Sequence, residues 1–251
     1  MKKDTAIDFL LFSVIGASSE DSCDELIEAS IRRAYQDASS RIGYELKDGK
    51  ERAVTKIVEA LRDLDVHDQK SFNKWHRKTC LSILPKEEDK GYGKAQKWLN
   101  MSLKYLAVTY AVLAEKSNHE YVKNYREKLE SCEKFFHIPI DSYICDALIW
   151  SGVADTQKNN PLPLKKQLGR KLFSEYANPY GDYVKSWSSW TEDDYERVAD
   201  YLKSGQGNTD YDFDWEIHAW IKTARYRSCL EGKSESMSPG ELRNDLKDSL
   251  R

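Results

Sequence analysis

Gly91-Tyr92-Gly93-Lys94-Ala95-Gln96-Lys97 is the stretch on which the reading of this chain turns. Two glycines around one aromatic residue let the backbone turn tightly and bring N–H groups close to an anion. Behind them Ala95, Leu99, Leu103, Leu106 and Tyr110 recur at helical spacing, so the glycine hairpin opens a helix predicted to run from about Gly93 to Lys116. A helix of that length crosses the middle of a fold, and Lys94, Lys97 and Lys104 fall roughly opposite its apolar face. The positive end of the helix favours a phosphate at the hairpin. Taken alone, GxG before a helix is more often only a turn, and a lysine stripe is usually a solvated face.

The same periodicity extends along the chain in both directions. Thr5 to Ile15 reads as a first helix, and Asp21 or Ser22 caps a second one carrying Leu26, Ile27, Ile31 and Tyr35. Val54, Ile57, Val58 and Leu61 form the next stripe, and Phe72, Trp75, Cys80 and Ile83 another over Gln69 to Leu84. A charged helix follows over Glu120 to Glu133, and Pro139 opens an apolar one through Ile144 and Leu148. Asn159 to Pro163 is the best linker. Beyond it lie a basic helix from Lys165 to Phe173, a turn at Asn178 to Gly181, and the aromatic segment Trp187-Ser188-Ser189-Trp190. Thr191 with Asp194 forms a capping pair for a helix to Lys203, Phe213 to Cys229 is a further helix, and Ser238-Pro239-Gly240-Glu241 starts a last one. No alternating strand pattern stands out. The expected fold is therefore all-α, with residues 1–160 and 161–251 forming two helical lobes around a central cleft.

Composition narrows the function classes. The chain has 251 residues, of which 40% are hydrophobic and 32% charged, as long amphipathic helices require. No apolar run is long enough to span a membrane, and the Ile7 to Ile15 stretch has neither a cleavage site nor freedom from charge, given Asp8. Five scattered cysteines without a CxxC pair argue against a zinc ribbon or an iron–sulfur cluster and fit reduced thiols in the cytoplasm. The histidines form no cluster with ligand spacing, so no metal site is expected. A formal net charge of −3 counts against a protein that coats DNA indiscriminately, and leaves room only for a local basic face.

Three elements carry candidate chemistry. Lys94, or alternatively Lys97, sits near the positive end of a helix among other cations, an environment that favours a neutral, nucleophilic amine. Asp141, at the end of His137-Ile138-Pro139-Ile140-Asp141, can accept a proton from such an amine or stabilise positive charge on a sugar. Its structural alternative is a helix cap worth about 1 kcal/mol. The aromatic residues Trp98, Phe136, His137, Trp187 and Trp190 either fill cores or line a pocket that stacks an extruded base.

A GxG hairpin leading into a lysine-bearing helix, followed by a Pro-hydrophobic-Asp segment, resembles the helix-hairpin-helix DNA glycosylases, and most nearly the archaeal 8-oxoguanine glycosylases. The likeness covers roughly Leu84 to Ile149, with Leu84-Pro85 matching the Leu-Pro that the family places before its hairpin and the charged segment Glu115 to Lys134 reading as an insertion. The resemblance implies Lys94 or Lys97 as nucleophile and Asp141 as its partner. It also implies DNA contacts from Gly91, Tyr92, Gly93 and Lys104, and a base pocket among Trp98, Phe136, His137, Trp187 and Trp190. The implied partner is DNA, with no membrane association. No cofactor is implied, except that a monovalent cation could sit at the hairpin. The competing reading is a non-catalytic helical module that binds nucleic acid or a protein, for example a phage-defence or regulatory component. A small-molecule enzyme is a third.

Overall fold

A computed structural model describes residues 2–42, 49–84, 91–114, 120–150, 186–204 and 211–230. Among them the structure is entirely helical: α1 (Lys3–Ile15), α2 (Cys23–Ile42), α3 (Lys50–Arg62), α4 (Gln69–Ile83), α5 (Tyr92–Ala114), α6 (Glu120–Glu133), α7 (Ser142–Trp150), a 3-10 turn at Trp187–Ser189, α8 (Glu192–Lys203) and α9 (Phe213–Leu230). None of the described helices is long and apolar enough to cross a membrane. The all-α expectation therefore holds for the described chain. The expected linker at 159–163, the helix at 165–173, the turn at 178–181, the last helix from 238 and the lobe boundary at 160 lie outside the described residues.

The chain divides into two compact units. One comprises Met1–Glu88 with Lys94–Pro139, the other Asp89–Gly93 with Ile140–Arg251. Helix α5 thus begins in the second unit and continues into the first, with the division between Gly93 and Lys94.

In the first unit the helix ends are written in the sequence. Ser22 and Glu25 cap α2 reciprocally: the Ser22 backbone N–H donates to Glu25 Oε2 at 2.7 Å, and the Glu25 N–H donates back to Ser22 Oγ at 3.3 Å. Asp21 instead takes the Ser18 N–H at 2.8 Å. Asp68 and Ser71 form a second reciprocal box at the start of α4. Helix α1 ends where Gly16 adopts φ +73°, the left-handed conformation in which a side chain would be strained. Helix α3 packs on α2 and α4, and α1 packs on α2. The apolar stripes predicted for these helices face inward: Leu26, Ile27, Ile31, Ile57, Leu61, Phe72 and Cys80 are all fully buried.

Helix α5 differs from its prediction. Ala95, Gln96, Lys97, Trp98, Leu99 and Asn100 are buried in succession, which covers every direction around a helix axis. Lys94 and Lys104 are half-buried rather than solvated. Over residues 95–100 the helix is enclosed on all sides, and Lys97 of the expected lysine face is buried.

The second unit contains α7, α8 and α9. The Thr191–Asp194 capping box predicted for α8 is present, with Asp194 Oδ2 3.0 Å from the Thr191 N–H. The helix after Pro139 starts later than predicted, at Ser142, because Asp141 caps it; residues 136–140 form no regular element and their side chains are buried. Helix α9 packs on α7, locked by Arg227. Its guanidinium lies 2.8 Å from Asp146 Oδ2, donates to the Ser142 carbonyl at 2.7 Å, and stacks 3.7 Å from the Tyr143 ring centroid. Asp146 has no exposed surface. Removing the guanidinium leaves that carboxylate without its counter-charge, so Arg227→Met should lower stability by about 3–5 kcal/mol in urea unfolding, and adding Asp146→Leu should recover much of the loss.

Candidate functional site

The residues singled out in the sequence fall into separate settings. Gly91, Tyr92 and Gly93 do not form a free hairpin: Gly91 is a 3-10 residue, and Tyr92 and Gly93 make the first turn of α5. The Gly93 N–H donates to the Trp190 carbonyl at 3.3 Å, so the 3-10 turn of the same unit takes up this donor. A Cβ on Gly93 would meet the Trp187 carbonyl oxygen at 1.7 Å. The glycine is thus required by close approach of protein backbone, the same property that the sequence reading assigned to a phosphate. Trp187 and Trp190 are buried around it, and Tyr92 packs on Tyr195 with ring centroids 5.5 Å apart.

Lys97 lies in the first unit with its Nζ 3.5 Å from the Asp37 carbonyl of α2. The Asp37 carboxylate accepts the Tyr105 hydroxyl and pairs with Arg33 at 2.9 Å. Trp98, fully buried, donates its indole N–H to the Ile31 carbonyl at 3.0 Å and packs on Tyr35. Phe136 and His137 pack around Phe72, at ring distances of 5.5 and 5.0 Å. All five aromatic residues expected to line a base pocket are therefore at most 6% exposed and belong to interior packing.

Asp141, 8% exposed, accepts the backbone N–H groups of Tyr143 at 2.8 Å and Ile144 at 3.2 Å through Oδ1. These are donors that the first turn of α7 leaves without helical partners. The structural role foreseen for this carboxylate is filled.

A polar network in the first unit escaped the sequence reading. The Asn100 side-chain amide donates to Gln96 Oε1 and to the Ile138 carbonyl, both at 3.1 Å, and its Oδ1 lies 2.9 Å from His76 Nε2. Since Oδ1 can only accept, His76 carries its proton on Nε2. That leaves Nδ1 to accept from the Cys80 thiol, 3.8 Å away. His137 joins through Asn73 Oδ1 at 3.1 Å and Gln69 Nε2 at 3.2 Å, while Gln69 also donates to the Phe135 carbonyl. The network fastens the segment Phe135–Ile138 to α4 and α5. Its signal in the sequence was polar pairs at i, i+4 inside apolar stripes: Gln96 with Asn100, His76 with Cys80, Gln69 with Asn73.

Burial depresses His76 to about 4, against the opposing hydrogen bond to Asn100. Among the described residues, no group of three or more His, Cys, Asp and Glu side chains is placed to hold a metal ion. No family model, no curated protein and no solved structure matches this chain, so its function is read from its own side chains.

Two measurements probe these settings. His76 is neutral in the fold and more readily protonated when unfolded, so its contribution is complete above about pH 6.5 and is lost as pH falls towards about 4. Urea unfolding across that window should show stability declining by up to about 3 kcal/mol, with a shallower slope in His76→Gln, whose amide can donate the same bond. Gly93→Ala gains about 1 kcal/mol of helix propensity but drives a methyl group into the Trp187 carbonyl. The clash should dominate, and the variant should melt below the wild type.

Proposed function

We propose that this chain excises a damaged or modified base from DNA. The observation that carries the reading is the hydrogen bond from Asn100 to the Ile138 carbonyl. Within the first unit it joins Ile138, of the Pro-hydrophobic-Asp stretch, to Asn100 of the helix that bears Lys94 and Lys97, and these two stretches carry the glycosylase resemblance. Burial of Lys97 and Asp141 adds support, because lysine and aspartate are seldom this enclosed without a structural or chemical use.

In this reading the target nucleotide leaves the stack at a cost of about a few kcal/mol. A lysine amine attacks the anomeric carbon, and the bond to the base breaks with its electron pair departing on the base. Asp141 accepts the proton released by the lysine and stabilises the oxocarbenium-like transition state. Opening of the sugar gives an imine, from which elimination cleaves the strand. Should water be the nucleophile instead, Asp141 activates it and only the base is released. Lys104 supplies a contact to the phosphate backbone.

A second reading is favoured by one specific observation. The Gly93 N–H and the Asp141 carboxylate both have structural partners, as they would in a non-catalytic helical module for nucleic acid or protein, such as a phage-defence component.

Borohydride trapping on duplexes carrying a panel of modified bases separates the two. The enzyme predicts a covalent adduct that disappears in either Lys94→Ala or Lys97→Ala. Asp141→Asn keeps a competent cap, so it should leave the melting temperature unchanged while slowing base release by about a hundredfold or more. DNA binding without adduct or abasic product, and a silent Asp141→Asn, would establish the module instead.

A further inference from the structure

Helix α4 carries one sign of charge on its outer side. It contains no Asp or Glu, and Lys70, Lys74, Arg77 and Lys78 are all exposed. At about 100° per residue the four fall within a sector of about 100°, opposite the buried face of Phe72, His76, Thr79, Cys80 and Ile83. Other helices of this unit mix their signs: Arg32 pairs with Glu28 and Arg33 with Asp37 on α2, Lys56 with Glu59 on α3, and Arg126 with Glu130 on α6. On α4 the row Lys70, Lys74, Lys78 instead sets like charges four residues apart, an arrangement that repels itself. Lys70 has the cap Asp68 beside it, whose carboxylate accepts the Ser71 N–H. Among the described residues, Lys74 and Lys78 have no ion pair. In a chain of formal net charge −3, such a row is a local concentration of positive charge complementary to a polyanion.

We propose that the outer face of α4 docks the phosphate backbone of duplex DNA without reading its sequence. The lysine row spans about 12 Å at about 1.5 Å per residue, a length over which one strand of a duplex presents about three phosphates. Lysine meets a phosphate as a point charge, which positions a duplex and carries no base readout. Other polyanions fit this face less well. Protein interfaces are poor in lysine and built on aromatic anchors, whereas the large apolar side chain in this sector is Leu81, 44% exposed. A helix that lies on a membrane sinks its apolar face into the lipid, and that face of α4 is buried in the protein. Single strands are held by rings that stack on bases, and this sector of α4 has no aromatic residue. The choice of DNA over duplex RNA rests on the base-excision reading above.

Fluorescence anisotropy of the full chain on a labelled, unmodified DNA duplex across a salt series tests the proposal, with circular dichroism as the folding control. The wild type should bind. Lys74→Ala/Lys78→Ala should bind at least about tenfold more weakly at about 0.1 M salt, with a slope of log K against log salt smaller by about 2. Lys74→Arg/Lys78→Arg should keep wild-type binding. Lys123→Ala/Arg126→Ala on α6 changes the net charge equally and should leave binding unchanged. A wild type that does not bind the duplex overturns the proposal. So does undiminished affinity in Lys74→Ala/Lys78→Ala, or an equal loss in Lys123→Ala/Arg126→Ala. Tighter binding through the same lysines to duplex RNA, or to phosphatidylserine vesicles, overturns the choice of DNA. The base-excision reading is decided separately: binding through α4 with no borohydride adduct removes that reading and leaves this one, and an adduct with binding indifferent to α4 does the reverse.

Discussion

A buried amide cannot be left half-satisfied, and that constraint organises the first unit around Asn100. Its two N–H groups go to the Gln96 side chain and the Ile138 carbonyl, and its oxygen takes the His76 proton. Leaving any of these groups without a partner in the interior costs about 1–3 kcal/mol, so the three bonds stand or fall together. Through them, α4, α5 and the segment Phe135–Ile138 are held together. The Phe72 ring, packed against His76, His137 and Phe136, closes the apolar side of the same arrangement.

Among the described residues a few charged groups are buried or half-buried, and several of them have definite neighbours. Lys97 reaches the Asp37 carbonyl, while the Asp37 carboxylate is held by Arg33 and Tyr105. Asp141 binds the opening N–H groups of α7. Asp146 is matched by Arg227, itself sandwiched against Tyr143. Such pairs contribute little net stability beyond what apolar residues of equal volume would give, but they tolerate few alternative packings.

Helix positions were legible because capping and periodicity are local. Ser22, one of the two caps expected for α2, and Thr191 with Asp194 act within one turn of chain, and the apolar stripes of α2, α3 and α4 face the interior as their spacing requires; the Asp68–Ser71 box was not read. The candidate site was legible only as residue types. Gly91-Tyr92-Gly93 was recognisable as a place needing close backbone approach, yet nothing near it in sequence announces that the approaching group is the carbonyl of Trp187. The start of α7 was misplaced by a few residues because Pro139 suits a first helical turn and Asp141 a cap, and only the capping bonds rank the two.

From the sequence alone came the helical class, the caps at Ser22 and Thr191 and the core stripes, all fixed by interactions between residues a few positions apart. Tertiary structure decided what encloses each of them. It buried Lys97 of α5, gave Asn100 the Ile138 carbonyl, placed Arg227 on Asp146, and left the outer side of α1 bare. The reason is that burial and hydrogen-bond partnership over dozens of residues depend on which helices lie side by side, and periodicity specifies that a helix has a face to cover without naming what covers it.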